Sequence, residues 1–191
     1  MVFGLREIAL PDLGVFILVV GPSGAGKDTL IDAARAHFEH DPSFIFVRRV
    51  ITRPEEACGE AHQAVSIAEF QKMSSADAFS LQWDAHGLQY GIPRHYETDR
   101  LRGRHVIANV SRHVVDQANA SFTPVKTIMV TANNRVLAKR LAGRRRETEE
   151  EIERRLLRQA PVLKDTSDII IVDNSGRLEA GVRAFISALK R

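Results

Sequence analysis

The stretch Gly21-Pro22-Ser23-Gly24-Ala25-Gly26-Lys27-Asp28 follows an apolar run, Val15 to Val20, and opens a segment with helical periodicity. Glycines let backbone N–H groups turn inward around phosphate oxygens, the helix that follows presents its positive end, and a lysine at this spacing reaches the β- and γ-phosphates of a nucleotide. The spacing is that of a P-loop. It makes Gly21, Pro22, Ser23, Gly24, Ala25, Gly26, Lys27, Asp28 and Thr29 the candidates for binding ATP, with Lys27 the first catalytic candidate. One position is irregular: a P-loop carries Ser or Thr after the lysine to hold Mg²⁺, whereas here Asp28 stands there and Thr29 follows. Two readings of Asp28 are open. Either its carboxylate holds Mg²⁺, directly or through water, or it only favours the helix N-terminus, which is worth about 0.3–1 kcal/mol.

Outward from this loop, short β-rich runs alternate with longer periodic segments, the mark of an α/β fold with a parallel sheet flanked by helices. Strands are expected at Val15 to Val20, Phe44 to Val50, Val106 to Asn109, Val125 to Val130 and Asp168 to Val172, giving a parallel five-stranded core sheet. Helices are expected from Lys27, after Asn133, after Thr148 and near Leu178; Thr148 and Glu151 form a capping box for the third, and Pro161 ends it. Residues 52 to 104 interrupt the alternation between the second and third strands, a natural place for an acceptor site. Within them His86-Gly87 reads as the tip of a hairpin flanked by Trp83 and Tyr90, aromatics suited to a small sub-core.

The length of 191 residues with 44% hydrophobic content suits one domain with a sizeable core, preceded by an extension over residues 1 to 13. The net charge of +3 comes with arginines in separate groups, Arg48-Arg49, Arg53, Arg94, Arg100 to Arg104 and Arg144 to Arg146, without interleaved aromatics. That arrangement fits small anionic ligands and argues against a nucleic-acid partner. No apolar run reaches the roughly 18 residues of a membrane span, and Met1 to Pro11 has no signal-peptide core, so a cytoplasmic protein is expected. Cys58 is the single cysteine, which leaves no intrachain disulfide and no cysteine cluster for zinc. Monomer and homodimer both remain open.

Taken together, Gly21 to Lys27, Thr52-Arg53, Glu69-Phe70, Tyr90-Gly91 and Arg140-Leu141-Ala142-Gly143-Arg144 resemble the guanylate-kinase branch of the P-loop nucleoside monophosphate kinases, over about Val15 to Ala184. Within that branch, Gly26-Lys27-Asp28, Ile51-Thr52-Arg53, Gly59 to His62, Trp83 with His86-Gly87-Leu88, Asn109 with Ser111-Arg112, and Arg146-Glu147 are similar to the sugar-phosphate kinases of phosphonate degradation, whose acceptor is a ribose bisphosphate. The resemblance implies ATP and Mg²⁺, a small phosphorylated sugar as acceptor, a core over 14–51 and 105–191, an acceptor-binding region over 52–104 and a lid over about 142–150.

Departures from guanylate kinase itself point the same way. After Thr52-Arg53 the chain reads Pro54-Glu55-Glu56-Ala57 and lacks that enzyme's second arginine, His62 falls where its phosphate-gripping tyrosine would be, and Asn109 and Ser111 replace strand aspartates. GMP is therefore the less favoured acceptor. The loss of a strand carboxylate and the gain of Asp28 read as one compensating change in the metal site. Arg140 is implied on the ATP side, and Arg144 and Arg146 are implied as lid arginines closing over the transferring phosphoryl group, where a permanent charge and a planar fork suit phosphate oxygens. For the acceptor, Arg53 is the leading candidate, with Arg49, His62, Tyr90, Asn109 and Arg112 beside it. Arg48 and Arg49, read as neighbours on one strand, point in opposite directions, so at most one faces the site. A non-catalytic module that binds a phosphorylated partner protein is the alternative of another class; Gly26-Lys27 and the lid arginines speak against it.

Overall fold

In the computed structural model the described residues are 12–54, 61–142 and 169–191. Along them run β1 (Phe16–Val20), α1 (Lys27–His37), β2 (Phe44–Phe46), β3 (Val50–Ile51), β4 (Gln63–Ala64), α2 (Ile67–Ser75), β5 (Phe79–Ala85), β6 (Leu88–Pro93) and α3 (His95–Leu101). The chain continues through β7 (His105–Asn109), a 3-10 turn at Arg112–Val114, α4 (Val115–Ser121), β8 (Val125–Thr131), α5 (Asn134–Ala142), β9 (Ile169–Asp173) and α6 (Leu178–Lys190).

β1 is buried at every position because it lies in the middle of the five-stranded sheet β2-β7-β1-β8-β9, whose pairings are all parallel. Its alternate side chains feed two cores. Ile17 and Val19 pack with Leu30, Ala34 and Phe38 of the α1 segment and with Phe185 and Leu189 of α6. Phe16, Leu18 and Val20 pack on the other side with Val115, Ala118 and Phe122, and with Leu81 and Ile92 of the β5–β6 hairpin. The parallel sheet and its flanking helices thus match the expectation from alternating runs.

The expected strand from Phe44 to Val50 divides in two. Val47 N–H makes the last bond to the core sheet, to Ile107 O at 2.9 Å; Arg48 and Arg49 then carry the chain across, and Val50–Ile51 pairs instead with Tyr90 and Gly91. Apolar content alone could not reveal the break, since both halves are apolar and belong to different sheets. The second sheet has the order β4-β3-β6-β5, and its hairpin turns at His86 (φ 54°) and Gly87 (φ 73°), the tip expected from the dipeptide. The seven-residue helices α3 and α4 were not anticipated, being too short to show a clear period. The capping box at Thr148 and Glu151, the helix after it, Pro161, Cys58 and most of the N-terminal extension lie outside the described residues. No helix among the described residues is long and apolar enough to cross a membrane.

At the sheet end opposite the P-loop, Val15 N–H donates to His105 Nδ1 at 3.1 Å. Partial burial, then the nearby Lys126 ammonium, hold the His105 pKa below its ordinary 6.5. A histidine held neutral in the fold contributes stability above its unfolded pKa, and that contribution is lost as pH falls. Urea midpoints of the native chain should therefore decline from pH 7.5 to pH 5.5 more steeply than those of His105→Gln; equal slopes would remove this histidine from the acid response.

Candidate active site

The P-loop leaves the C-terminal end of β1 and enters α1 through Gly26, which caps the helix in the left-handed region (φ 89°), a conformation that glycine adopts without steric cost. Lys27 Nζ donates to the carbonyls of Gly21 and Pro22 at 2.9 and 3.1 Å, so its ammonium spans the loop.

Two residues from distant parts of the chain brace this loop. Arg140 on α5 donates through Nη1 to the carbonyls of Gly24 and Ala25, each at 3.3 Å, and through Nη2 to the carbonyl of Asn174 at 3.0 Å. Asn174, buried just after β9, donates Nδ2 to Ala25 O at 2.8 Å. The fit is close: a Cβ built on Gly26 would lie 2.5 Å from Asn174 Nδ2, and one on Gly181 of α6 would lie 2.5 Å from its Oδ1. Arg140 thus holds the P-loop backbone. The bracing role of Asn174 carried no sequence signal, because the two partners of that bond are 149 residues apart.

Asp28 and Asn109 meet. The Asn109 Nδ2 amide at the end of β7 donates to Asp28 Oδ1 at 2.7 Å, so a residue proposed for the acceptor is bonded to the P-loop. Three residues further, Arg112 opens the 3-10 turn half-buried; that burial pulls its guanidinium pKa below the ordinary arginine value, and among the described residues no carboxylate pairs with it.

Arg53, His62, Arg49 and Tyr90 gather on the second sheet. His62 is completely buried, and its Nε2 lies 3.1 Å from the Arg53 carbonyl, which fixes the Nε2–H tautomer because a carbonyl can only accept. Its own carbonyl accepts from Arg48 Nη2 at 3.0 Å, so His62 is tied to both Arg53 and Arg48. Arg48 and Arg49 do diverge, although from the crossing segment and not from a strand: Arg48 is exposed, whereas Arg49 is buried with its guanidinium 5.3 Å from the centre of the Tyr90 ring. Tyr90 stacks on Trp83 at 5.3 Å with the planes 5° apart, making a layered Arg49–Tyr90–Trp83 pile. Such stacking fixes the Tyr90 ring and gives Arg49 a cation–π contact. His86 sits at the exposed hairpin tip. Thr52 extends the β3–β6 pairing by accepting from Gln89 N–H through Oγ1 at 2.9 Å and donating its own N–H to Gln89 O at 3.1 Å. Arg144 and Arg146, expected as lid arginines, lie outside the described residues.

A cavity of about 350 Å³ opens beside α2, lined by Phe70, Gln82, Asp84 and Gln89 among others, with no P-loop residue. Ligands of open α/β sheets bind beyond the carboxyl ends of the strands, so the site is placed by the P-loop and Asn109 and not by cavity size.

Residues 14–189 match the guanylate kinase family model. The chain is 49% identical over 173 residues to the ribose 1,5-bisphosphate phosphokinase of a Ruegeria species, covering 90% of each chain, and 43% identical over 176 residues to that of Brucella melitensis, covering 92% of each. Among solved structures, a guanylate kinase from Anaplasma phagocytophilum aligns with a TM-score of 0.65 at 17% identity, covering 95% of this chain and 87% of that one, a likeness that speaks for the fold alone. The chain thus belongs to the guanylate kinase family of P-loop kinases, and the relatives it matches at 43–49% identity carry the name ribose 1,5-bisphosphate phosphokinase.

Proposed function

We infer that this protein is an ATP-dependent kinase that phosphorylates the 1-phosphate of ribose 1,5-bisphosphate, yielding ADP and 5-phospho-α-D-ribose 1-diphosphate, a step of phosphonate metabolism. The observation that carries the phosphoryl-transfer reading is the braced P-loop with Lys27 across it; the acceptor rests on the relatives' shared name. An oxygen of the acceptor phosphate attacks the γ-phosphorus in line, and the bond from that phosphorus to the β–γ bridging oxygen breaks. An acceptor phosphate is already anionic near neutral pH, so no strong general base is required. The obstacle is repulsion between anions, and the work of the protein is alignment and neutralisation.

Lys27 would take charge from the β- and γ-phosphates, and Arg144 and Arg146 would act on the transferring phosphoryl group. Arg53 and Arg112 would hold the acceptor, with Arg49, His62 and Tyr90 shaping its pocket. The donor set fits Mg²⁺: one hard carboxylate, Asp28, stands at the P-loop, and among the described residues no cluster of three or more His, Cys, Asp or Glu makes a separate protein cage. Mg²⁺ is commonly held this way, by one or two carboxylates plus water and substrate phosphates. Bound there, directly or through water, it would neutralise charge on the nucleotide phosphates. A reaction that consumes ATP belongs in the cytoplasm; its partners are small molecules, with no nucleic acid or membrane, and the protein works as a monomer or homodimer.

The test is to incubate the protein with ATP, Mg²⁺ and either ribose 1,5-bisphosphate or GMP and identify products by phosphorus NMR. The expected outcome is the ribose diphosphate product. Brisk GDP formation without it would make the protein a nucleotide kinase, and no turnover with either acceptor would favour the binding module. In the same assay Arg112→Ala should raise the acceptor KM by roughly 10–100-fold, the worth of a hydrogen bond to a charged group, and leave the ATP KM nearly unchanged. An unchanged acceptor KM would take Arg112 out of the site.

A further inference from the structure

We propose that Asn109 is a positioning residue of the metal site, and that Asp28 and Asn109 together exchange the two halves of an ordinary P-loop metal site: the carboxylate sits on α1 and the neutral partner on β7. The proposal rests on the reading of the loop as an ATP–Mg²⁺ site. It is carried by the 2.7 Å bond from Asn109 Nδ2 to Asp28 Oδ1, which joins residues 81 apart in the chain.

A carboxylate on the first turn of α1 would swing between rotamers unless held. The Asn109 amide holds one oxygen by a charge-assisted bond and leaves the other available to a cation or its water, the arrangement by which outer partners orient metal-binding carboxylates. The same geometry explains why residue 109 is neutral. Two carboxylates in this contact would repel, and one would be driven to keep its proton. An amide is nearly isosteric with a carboxylate and can donate. With an acid at 28, the strand partner therefore has to be a donor, and the two departures from the usual pattern are a single physical change. The helix position matters as well, because Asp28 follows Lys27 directly: cation and anion leave adjacent residues at the mouth of one loop, so metal and ammonium can share one set of phosphates.

The experiment measures Mn²⁺ affinity of the protein–ADP complex by electron paramagnetic resonance, with metal-free ADP affinity and thermal unfolding as controls. Asn109→Ala should weaken Mn²⁺ by roughly 10-fold, the lower end for loss of an orienting partner, with metal-free ADP affinity unchanged. Asp28→Ser should weaken it at least as much. The exchange variant Asp28→Ser with Asn109→Asp moves the single carboxylate to β7 and puts a hydroxyl on α1, and it should recover Mn²⁺ affinity to within a few-fold of the native chain. The proposal is overturned if Asn109→Ala binds Mn²⁺ like the native chain, even with a lowered unfolding midpoint, which would make the pair a structural strut. It is equally overturned if the exchange variant binds no better than Asp28→Ser. Since no acceptor enters the measurement, a wrong acceptor assignment would leave these affinities untouched and show only in the product assay.

Discussion

Replacing Lys27 with methionine, which keeps most of the length and removes the charge, should lower kcat by about 10²–10³-fold, the usual loss when a preorganised donor to developing charge is removed. The ammonium is held over the loop by the Gly21 and Pro22 carbonyls. Those two bonds hold the ammonium at the loop, where its positive charge can act on phosphate oxygens. The ATP KM should move much less, because the loop keeps its backbone N–H groups and its braces from Arg140 and Asn174. Steady-state kinetics with ribose 1,5-bisphosphate as acceptor decides the matter: a variant retaining a tenth of native kcat would exclude Lys27 from the transition state.

The second large effect is structural. A Cβ at Gly21 would lie 2.1 Å from the Val130 carbonyl oxygen of β8, and Gly21 has φ 147°, a conformation that other residues rarely adopt. The opposing atom belongs to a central sheet backbone and cannot rotate away. Gly21→Ala should therefore cost about 3 kcal/mol or more, combining backbone strain of about 1–3 kcal/mol with a clash that only strand displacement relieves. The expected readout is a lowered urea midpoint together with loss of ADP binding. Gly176→Ala is the control, since a Cβ there meets nothing within 4 Å. Equal midpoints for the two variants would mean that the loop relaxes freely and that its closeness to β8 is unimportant.

Much of the fold was legible because its signals are local. The apolar run Val15 to Val20, the glycine spacing and the helical period from Lys27 each lie within a few residues, and all three agree with β1, the loop and α1. The hairpin tip was legible for the same reason, as His86-Gly87 has the positive φ values that such a turn demands. The run from Phe44 to Val50 misled, because apolarity marks burial and does not say in which sheet; only the pairing partners, Ile107 for Val47 and Gly91 for Val50, separate the halves.

Residue types by themselves determined that a phosphate-binding loop is present and that Asp28 is out of pattern, and the grouping of the basic residues raised small anions as the expected ligands. They also suggested that Asp28 and Asn109 belong to one change. Tertiary structure decided how. Strand order sets β7 beside β1, and that adjacency brings the Asn109 amide to the first turn of α1. In the same way the pairing of β9 with β8 sets Asn174 against Ala25 and under the guanidinium of Arg140. Each of these bonds needs its partners within about 3 Å, and such closeness between distant residues follows from how strands are ordered in the sheet, which periodicity along the chain does not encode.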